Sequence, residues 1–316
     1  MKNLMVMASI IFLLITTNST VFAFGMVKIN VKVVDESGAQ LGDTKLRVRF
    51  TSGEIPAIKS TDDHGHCSFT SNSGDGVVVG TAMKDGYYDT TLNQDFYRRK
   101  FGMWQPWGKE LTVVMRPIVN PVPMYVRNQW FEIPAVDKEI GFDLEKADWV
   151  IPYGLGTQSD FIFKVNRRYD NIDNFDATVT LTFSNPFDGI QVVKDDGGGD
   201  FNVGSWYRLP RKAPEDGYQP KLTRNRSTSS PDFYAHKPDD DNYIFRVRSE
   251  VDKDGKLKQA MYGKIRGSIA LDPRGSQTGT IKMHYYLNPD YTPNLEFDPQ
   301  RNLFISLPSD ENVRQP

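Results

Sequence analysis

Cysteine is almost absent from this 316-residue chain: Cys67 stands alone. A lone cysteine excludes an internal disulfide framework and any cysteine-rich zinc site. Charge of either sign is not in excess, with 38 Lys and Arg against 40 Asp and Glu for a net −2. No basic surplus is available for nucleic acid. Catalytic signatures are missing too. There is no Gly-x-Ser-x-Gly elbow, and the Gly197-Gly198-Gly199 triplet lacks the Gly-Lys-Ser/Thr that would make it a phosphate loop. Histidine occurs four times. Beyond the first residues no run is apolar enough for a membrane span, and no stretch carries a sustained helical period. With 39% hydrophobic, 25% charged and 12% aromatic residues, the composition is that of a folded globular protein with sizeable cores.

The N-terminus carries the strongest signal. Lys2 is followed by an apolar run from Leu4 to Ile15 broken only by Ser9, and then by Val21-Phe22-Ala23. A charged start, a short apolar stretch and small residues form a secretory signal peptide, with cleavage expected after Ala23 and a mature chain starting at Phe24. No cysteine near that point offers a lipid anchor. The alternative, an uncleaved anchor, is disfavoured because a span needs roughly 20 apolar residues. The expected location is therefore secreted, periplasmic or cell-envelope. In such a compartment Cys67 reads as a buried small hydrophobe and not as a nucleophile.

The mature chain is β-sequence. Val27, Ile29, Val31 and Val33 alternate with polar residues, as do Leu46, Val48 and Phe50, the period of two that buries one face of a strand. Val77 to Gly80 and Leu111 to Met115 are further strands, and Asn93 to Lys100 could hold a short helix at most. The recurrence of strands between Gly, Asp and Ser turns points to a sandwich. Within it, Val34-Asp35, Gly38, Leu41-Gly42, Val48, Thr61-Asp62, Gly65, Phe69 and Gly86-Tyr87 resemble the carboxypeptidase regulatory-like domain, a prealbumin-like β-sandwich. The likeness covers about residues 26–117. Asp62 and Gly65 are separated by Asp63 and His64, and one departure is that His66-Cys67-Ser68 delays the aromatic Phe69. The resemblance implies a fold and export, not catalysis, since such modules accompany or anchor other domains.

Pro117, Pro121 and Pro123 mark the expected boundary, giving residues 1–23 as signal, 26–117 as the first sandwich and 118–316 as a larger β-domain of unassigned function. In the latter, Phe161, Phe163 and Val165, then Ala177, Val179, Leu181 and Phe183, alternate with polar residues. Tyr243, Phe245 and Val247 lead to Asp254-Gly255 and back through Met261 to Leu271, the best hairpin in the chain. Ile281, Met283, Tyr285 and Leu287 are expected inside, with Lys282, His284 and Tyr286 outside. Leu209 to Asn242 reads as a long surface loop. The fold class is all-β.

Candidate sites follow from residue chemistry. Asp62, Asp63, His64 and His66 could contact a metal but coincide with a turn. Asp195 to Asp200 and Asp239 to Asp241 invite a weak calcium reading, yet neither has the alternating frame; no cofactor is expected. Asp143, Glu145, Asp148 and Asp160 around Trp149 and Tyr153 are the most plausible pair-forming acids for a carbohydrate-active hydrolase. No spacing completes a catalytic set. Phe101, Trp104 and Trp107 stand in Phe101-Gly102-Met103-Trp104-Gln105-Pro106-Trp107-Gly108. These rings either fill an interface between the two domains or bind a polysaccharide or cell-surface protein by stacking. Arg246, Arg248, Lys264 and Arg266 suggest a basic face on the hairpin, suited to an acidic glycan or surface, or else a solvated face neutralised by nearby acids. A non-catalytic binding or structural protein is the leading expectation.

Overall fold

The computed structural model describes residues 25–50, 55–194, 203–229, 242–274 and 277–316. Residues 1–23, read above as an expected signal peptide, the Asp195–Asp200 and Asp239–Asp241 clusters and His236 lie outside them. Among the described residues there are twenty-two strands and no helix. The chain is all-β.

Nine strands come first: β1 (Gly25–Asp35), β2 (Lys45–Arg49), β3 (Ala57–Ser60), β4 (His66–Ser73), β5 (Val77–Met83), β6 (Thr90–Asp95), β7 (Arg98–Lys100), β8 (Met103–Gln105) and β9 (Lys109–Met115). β4, β1, β8 and β7 lie side by side, and β9 also runs parallel to β1. The facing sheet has the order β6-β5-β2-β3. Period-two alternation puts Val27, Ile29, Val31 and Val33 of β1 against Leu46, Val48, Val78 and Leu92 in one core. The short helix that residues 93–100 could at most have held does not form. Asn93 pairs with Val79 and Arg99 with Trp104, so these polar residues are held as strand by neighbouring backbones. No apolar face of their own is needed.

The turns that carry the family resemblance have specific jobs. Asp35 Oδ1 accepts from the N–H groups of Ser37 and Ala39, closing the first turn with Gly38 at φ +86°. Asp62 Oδ1 does the same for His64 and His66. Gly65 has φ +75°, and a Cβ there would sit 2.5 Å from Val33 O. Only glycine fits.

Thirteen strands complete the chain: β10 (Val122–Glu132), β11 (Glu139–Asp143), β12 (Asp148–Trp149), β13 (Phe161–Asn171), β14 (Asn174–Thr182), β15 (Gly189–Val193), β16 (Gly204–Ser205), β17 (Lys221–Ser227), β18 (Asn242–Val251), β19 (Leu257–Ile265), β20 (Ala270–Asp272), β21 (Thr280–Asn288) and β22 (Phe297–Asn302). A sheet in the order β15-β18-β19-β21-β10-β22, with β20 beside β21, faces a sheet β12-β11-β13-β14-β17. Phe142, Phe161, Phe163, Val179, Leu181, Phe245, Val247, Ile281 and Tyr285 fill the space between them. The 252–255 turn joins β18 to β19 as the sequence indicates. β16 leaves this group and pairs with β6 of the first sandwich.

Two expectations are corrected. Leu209 to Asn242 is not wholly loop: β17 pairs with β14 over seven residues, and Leu209 and Ala213 are buried. Tyr286 is not outward in any solvated sense. The outer face of the seven-stranded sheet is itself covered, so Met124, Val126, Tyr286, Phe297 and Val313 form a second core, and Ala213, Ile244, Ala260, Tyr262 and Leu295 a third. His284 stacks on Tyr286 with ring centroids 5.1 Å apart and shares that cover.

Candidate functional site

The hairpin of β7 and β8 is built from few residues. Lys100 pairs with Met103, leaving Phe101 and Gly102 as a two-residue turn with φ +51° and +75°. Positive φ at both central positions is the primed turn that matches strand twist, where Asn-Gly is the preferred pair. Phenylalanine in that conformation is uncommon and costs local strain. Phe101 is 86% exposed, as is Tyr97 just before β7. Arg98, Arg99 and Lys100 between them are all exposed.

This tip is fastened at its base. Trp104 turns inward onto the first core, donates its Nε1–H to Ser73 O at 3.0 Å, and lies against Gly25 and Gly76, whose added Cβ atoms would come within about 3 Å of the indole. The Arg99 guanidinium stands 5.8 Å over its ring. Met26 N donates to Gly102 O at 2.9 Å, and Asn30 Nδ2 donates to Gly108 O at 3.0 Å. Trp107, 39% exposed, stands on the next turn. The three sequence candidates therefore separate: Trp104 is a foundation, while Phe101 and Trp107 present rings to solvent. Tyr97 and the Arg98–Lys100 run join the site although no motif marks them. The signal available in the sequence is five successive large side chains, Tyr97 to Phe101, without an alternating apolar partner.

The four hairpin cations do not share one open face. Lys264 is 2% exposed, with Nζ 4.6 Å from the ring centroids of both Tyr207 and Tyr286. The covering segment explains this: side chains on the outer face of β19 lie beneath the 206–218 chain. Arg246 donates to Phe187 O at 2.6 Å and 2.9 Å and to Glu215 O at 3.2 Å, over the Tyr218 ring. Arg266 lies beside Lys264 and donates to Gln315.

Arg248 instead meets the acids. Its Nε and Nη2 donate to the two oxygens of Asp160 at 2.7 and 3.0 Å, and its Nη1 to Glu145 at 2.7 Å; Asp143 Oδ1 lies at 3.5 Å. A register shift after Val247 and φ +54° at Arg248 turn the guanidinium into the cluster. Burial raises Asp160 above the ordinary carboxylate range, opposed by hydrogen bonds from Arg248 and Leu144 N. Burial pulls the guanidinium down, but Asp160 and Glu145 more than offset it and hold the charge firmly. Asp143 also accepts from the N–H groups of Glu145, Lys146, Thr157 and Gln158. Asp148 stands apart, accepting from Trp149 N and Leu155 N. Each acid is committed to organising the 143–160 loops.

A shallow groove of about 330 Å³ lies on the outer face of β2 and β5, between Arg47, Arg49, Pro56, Asp75, Val77 and Val79. Cys67 is half-buried on β4, and burial raises its thiol above the usual value. It is a poor nucleophile.

No protein-family profile matches the chain, and no curated protein matches it. Among solved structures, a DUF3823 family protein from Parabacteroides merdae aligns over 87% of this chain and 99% of its own, at 9% identity and TM-score 0.22. BcpA, the major pilin subunit of Bacillus cereus, aligns over 76% and 63%, at 10% identity and TM-score 0.22. The 3-chlorocatechol 1,2-dioxygenase of Rhodococcus opacus aligns over 30% of this chain at 13% identity and TM-score 0.25, so the matched part spans 60% of that enzyme. At such scores these likenesses transfer neither activity nor partner.

Proposed function

We propose that this chain is an exported, non-catalytic binding protein of the cell exterior, and that the β7–β8 tip docks on an acidic polysaccharide. One observation carries it. An exposed phenylalanine occupies a turn position that favours asparagine or glycine, and it stands beside three consecutive exposed cations on a rigidly founded hairpin. A strained exposed aromatic is stable only where surrounding structure over-determines it, which motivates a role in recognition. Flat rings stack on sugar faces, and the Arg98–Lys100 charges suit carboxylate or sulfate groups on the same chain. Export is the reading of the Met1–Ala23 pattern. The regulatory-like resemblance of residues 26–117 fits an appended module that carries such a tip.

The test separates binding from folding. Phe101→Asn puts the preferred residue in the turn and should leave the protein as stable as the parent or slightly more so. It should also weaken binding to an acidic glycan such as alginate at least tenfold, as should Trp107→Ala. Asp148→Asn should leave binding intact. Unchanged alginate binding in both aromatic variants would refute the tip as the site. Cleavage of the polysaccharide, lost in Asp160→Asn, would favour the hydrolase instead.

A further inference from the structure

Where the 206–209 turn crosses the outer face of β18, β19 and β21, a narrow crevice is lined by Trp206, Arg208, Asn242, Lys264, Arg266 and Tyr286, with Leu209 and Pro316 closing it. The space at its centre is about 10 Å³, room for a single water-sized occupant. No Asp or Glu side chain is among the described residues that line it. Two donors face this space. Asn242 is 1% exposed; its Oδ1 accepts from Gly267 N at 2.9 Å, which fixes the amide orientation and leaves Nδ2 buried with no partner. The Lys264 ammonium stands between the rings of Tyr207 and Tyr286.

We propose that this crevice is a binding site for a single monatomic anion, chloride in an aqueous setting, with Lys264 and Asn242 as its ligands. A buried donor without an acceptor carries a desolvation cost, and cations gathered on one lining repel one another. A water could accept from both donors but would bring no charge. Phosphate and sulfate are too large for the space. A halide meets size, donor number and sign together.

The charged groups around Lys264 make the site pH-dependent. Burial first, and then the charges of Arg266 and Arg116, lower the ammonium to about 7, with Glu296 acting the other way. Tyr207 and Tyr286 stay neutral, because burial raises both phenols. His284 nearby is neutral above about 3. A bound anion therefore favours the protonated lysine, and protonation favours the anion.

The experiment uses the full-length folded protein in sodium gluconate, replaced stepwise by sodium chloride at constant ionic strength. Thermal unfolding should rise and saturate at pH 6. The half-saturating concentration should be roughly a hundredfold higher at pH 9, where almost all the free lysine is neutral. Lys264→Met, which keeps an apolar stem between the rings, should remove the saturable response. Should that variant fail to fold, a bromide-soaked crystal of the parent protein decides: an anomalous peak beside Lys264 Nζ supports the site. A parent Tm identical in gluconate and chloride, a Lys264→Met variant that retains the response, or a bromide-soaked crystal without that peak would overturn it.

Discussion

His284 shows how one side chain can set the acid limit of this fold. Its Nε2 is buried with no partner, and burial, together with Arg266, Lys264 and Lys282, lowers the imidazole from 6.5 to about 3. Above pH 6.5 the ring is neutral folded and unfolded, and the difference contributes nothing. As pH falls from 6.5 toward 3, the unfolded chain takes up a proton that the folded chain refuses, so stability is lost with acidification. The loss approaches about 1.4 kcal/mol per pH unit within that window. Urea unfolding between pH 6.5 and 5, mostly above the carboxylate range, should show this slope in the parent protein. His284→Gln should flatten it. The sequence pattern puts His284 on the outer side of its strand, which is correct for the register. It does not reveal that residues far along the chain cover that side, because period-two patterning distinguishes the faces of a sheet and not what lies over them.

Strand elements are legible in the sequence where one face meets a core and illegible where backbone pairing alone holds them. Val31, Val48, Phe163, Val179, Phe245 and Ile281 all come from alternating runs, and all are buried. β17 reads Lys-Leu-Thr-Arg-Asn-Arg-Ser, with no apolar stripe. It is an edge strand secured by the β14 ladder and by Thr178 Oγ1 donating to Asn225 Oδ1 at 2.9 Å. The acids at 143–160 are legible as a cluster, whereas Arg248, on the facing sheet and turned by a register shift, carries the sequence signature of a surface cation. Gly263 in β19 tests how tightly the principal hairpin is packed. It pairs with Phe245, whose ring lies across it: an added Cβ would fall 2.1 Å from Phe245 Cζ and 2.3 Å from Tyr286 O. Gly263→Ala should therefore cost about 1–3 kcal/mol through overpacking. Adding Phe245→Leu should cost less than the two single changes summed, because the clash that one creates the other relieves. Strict additivity in denaturant melts would show that the strands move apart without strain.

At the scale of the whole molecule, the two halves of the chain are tied through buried polar groups. Glu296, 1% exposed, accepts from Tyr88 Oη at 2.7 Å, Val119 N at 2.9 Å and Asn120 N at 2.7 Å. Tyr88 stacks on Tyr207 with centroids 5.1 Å apart, and Glu36 pairs with both Arg116 and Arg211. With β16 added to the first sandwich, these contacts make the junction a packed interface in place of a flexible hinge. The β7–β8 tip then has a fixed direction relative to the larger sheets, and the proposed anion crevice sits in the same junction. Removing Glu296 should uncouple the halves. Glu296→Ala strands a buried tyrosine hydroxyl and two backbone N–H groups, each costing about 1–3 kcal/mol without a partner. Most of that cost falls on the junction and little on either core. Calorimetry of the parent protein should give one cooperative transition, and Glu296→Ala should give two, the lower-melting one losing the Trp104 fluorescence environment of the first sandwich. A single transition shifted to lower temperature would mean that the cores themselves unfold as one unit and that β16 alone suffices to couple them.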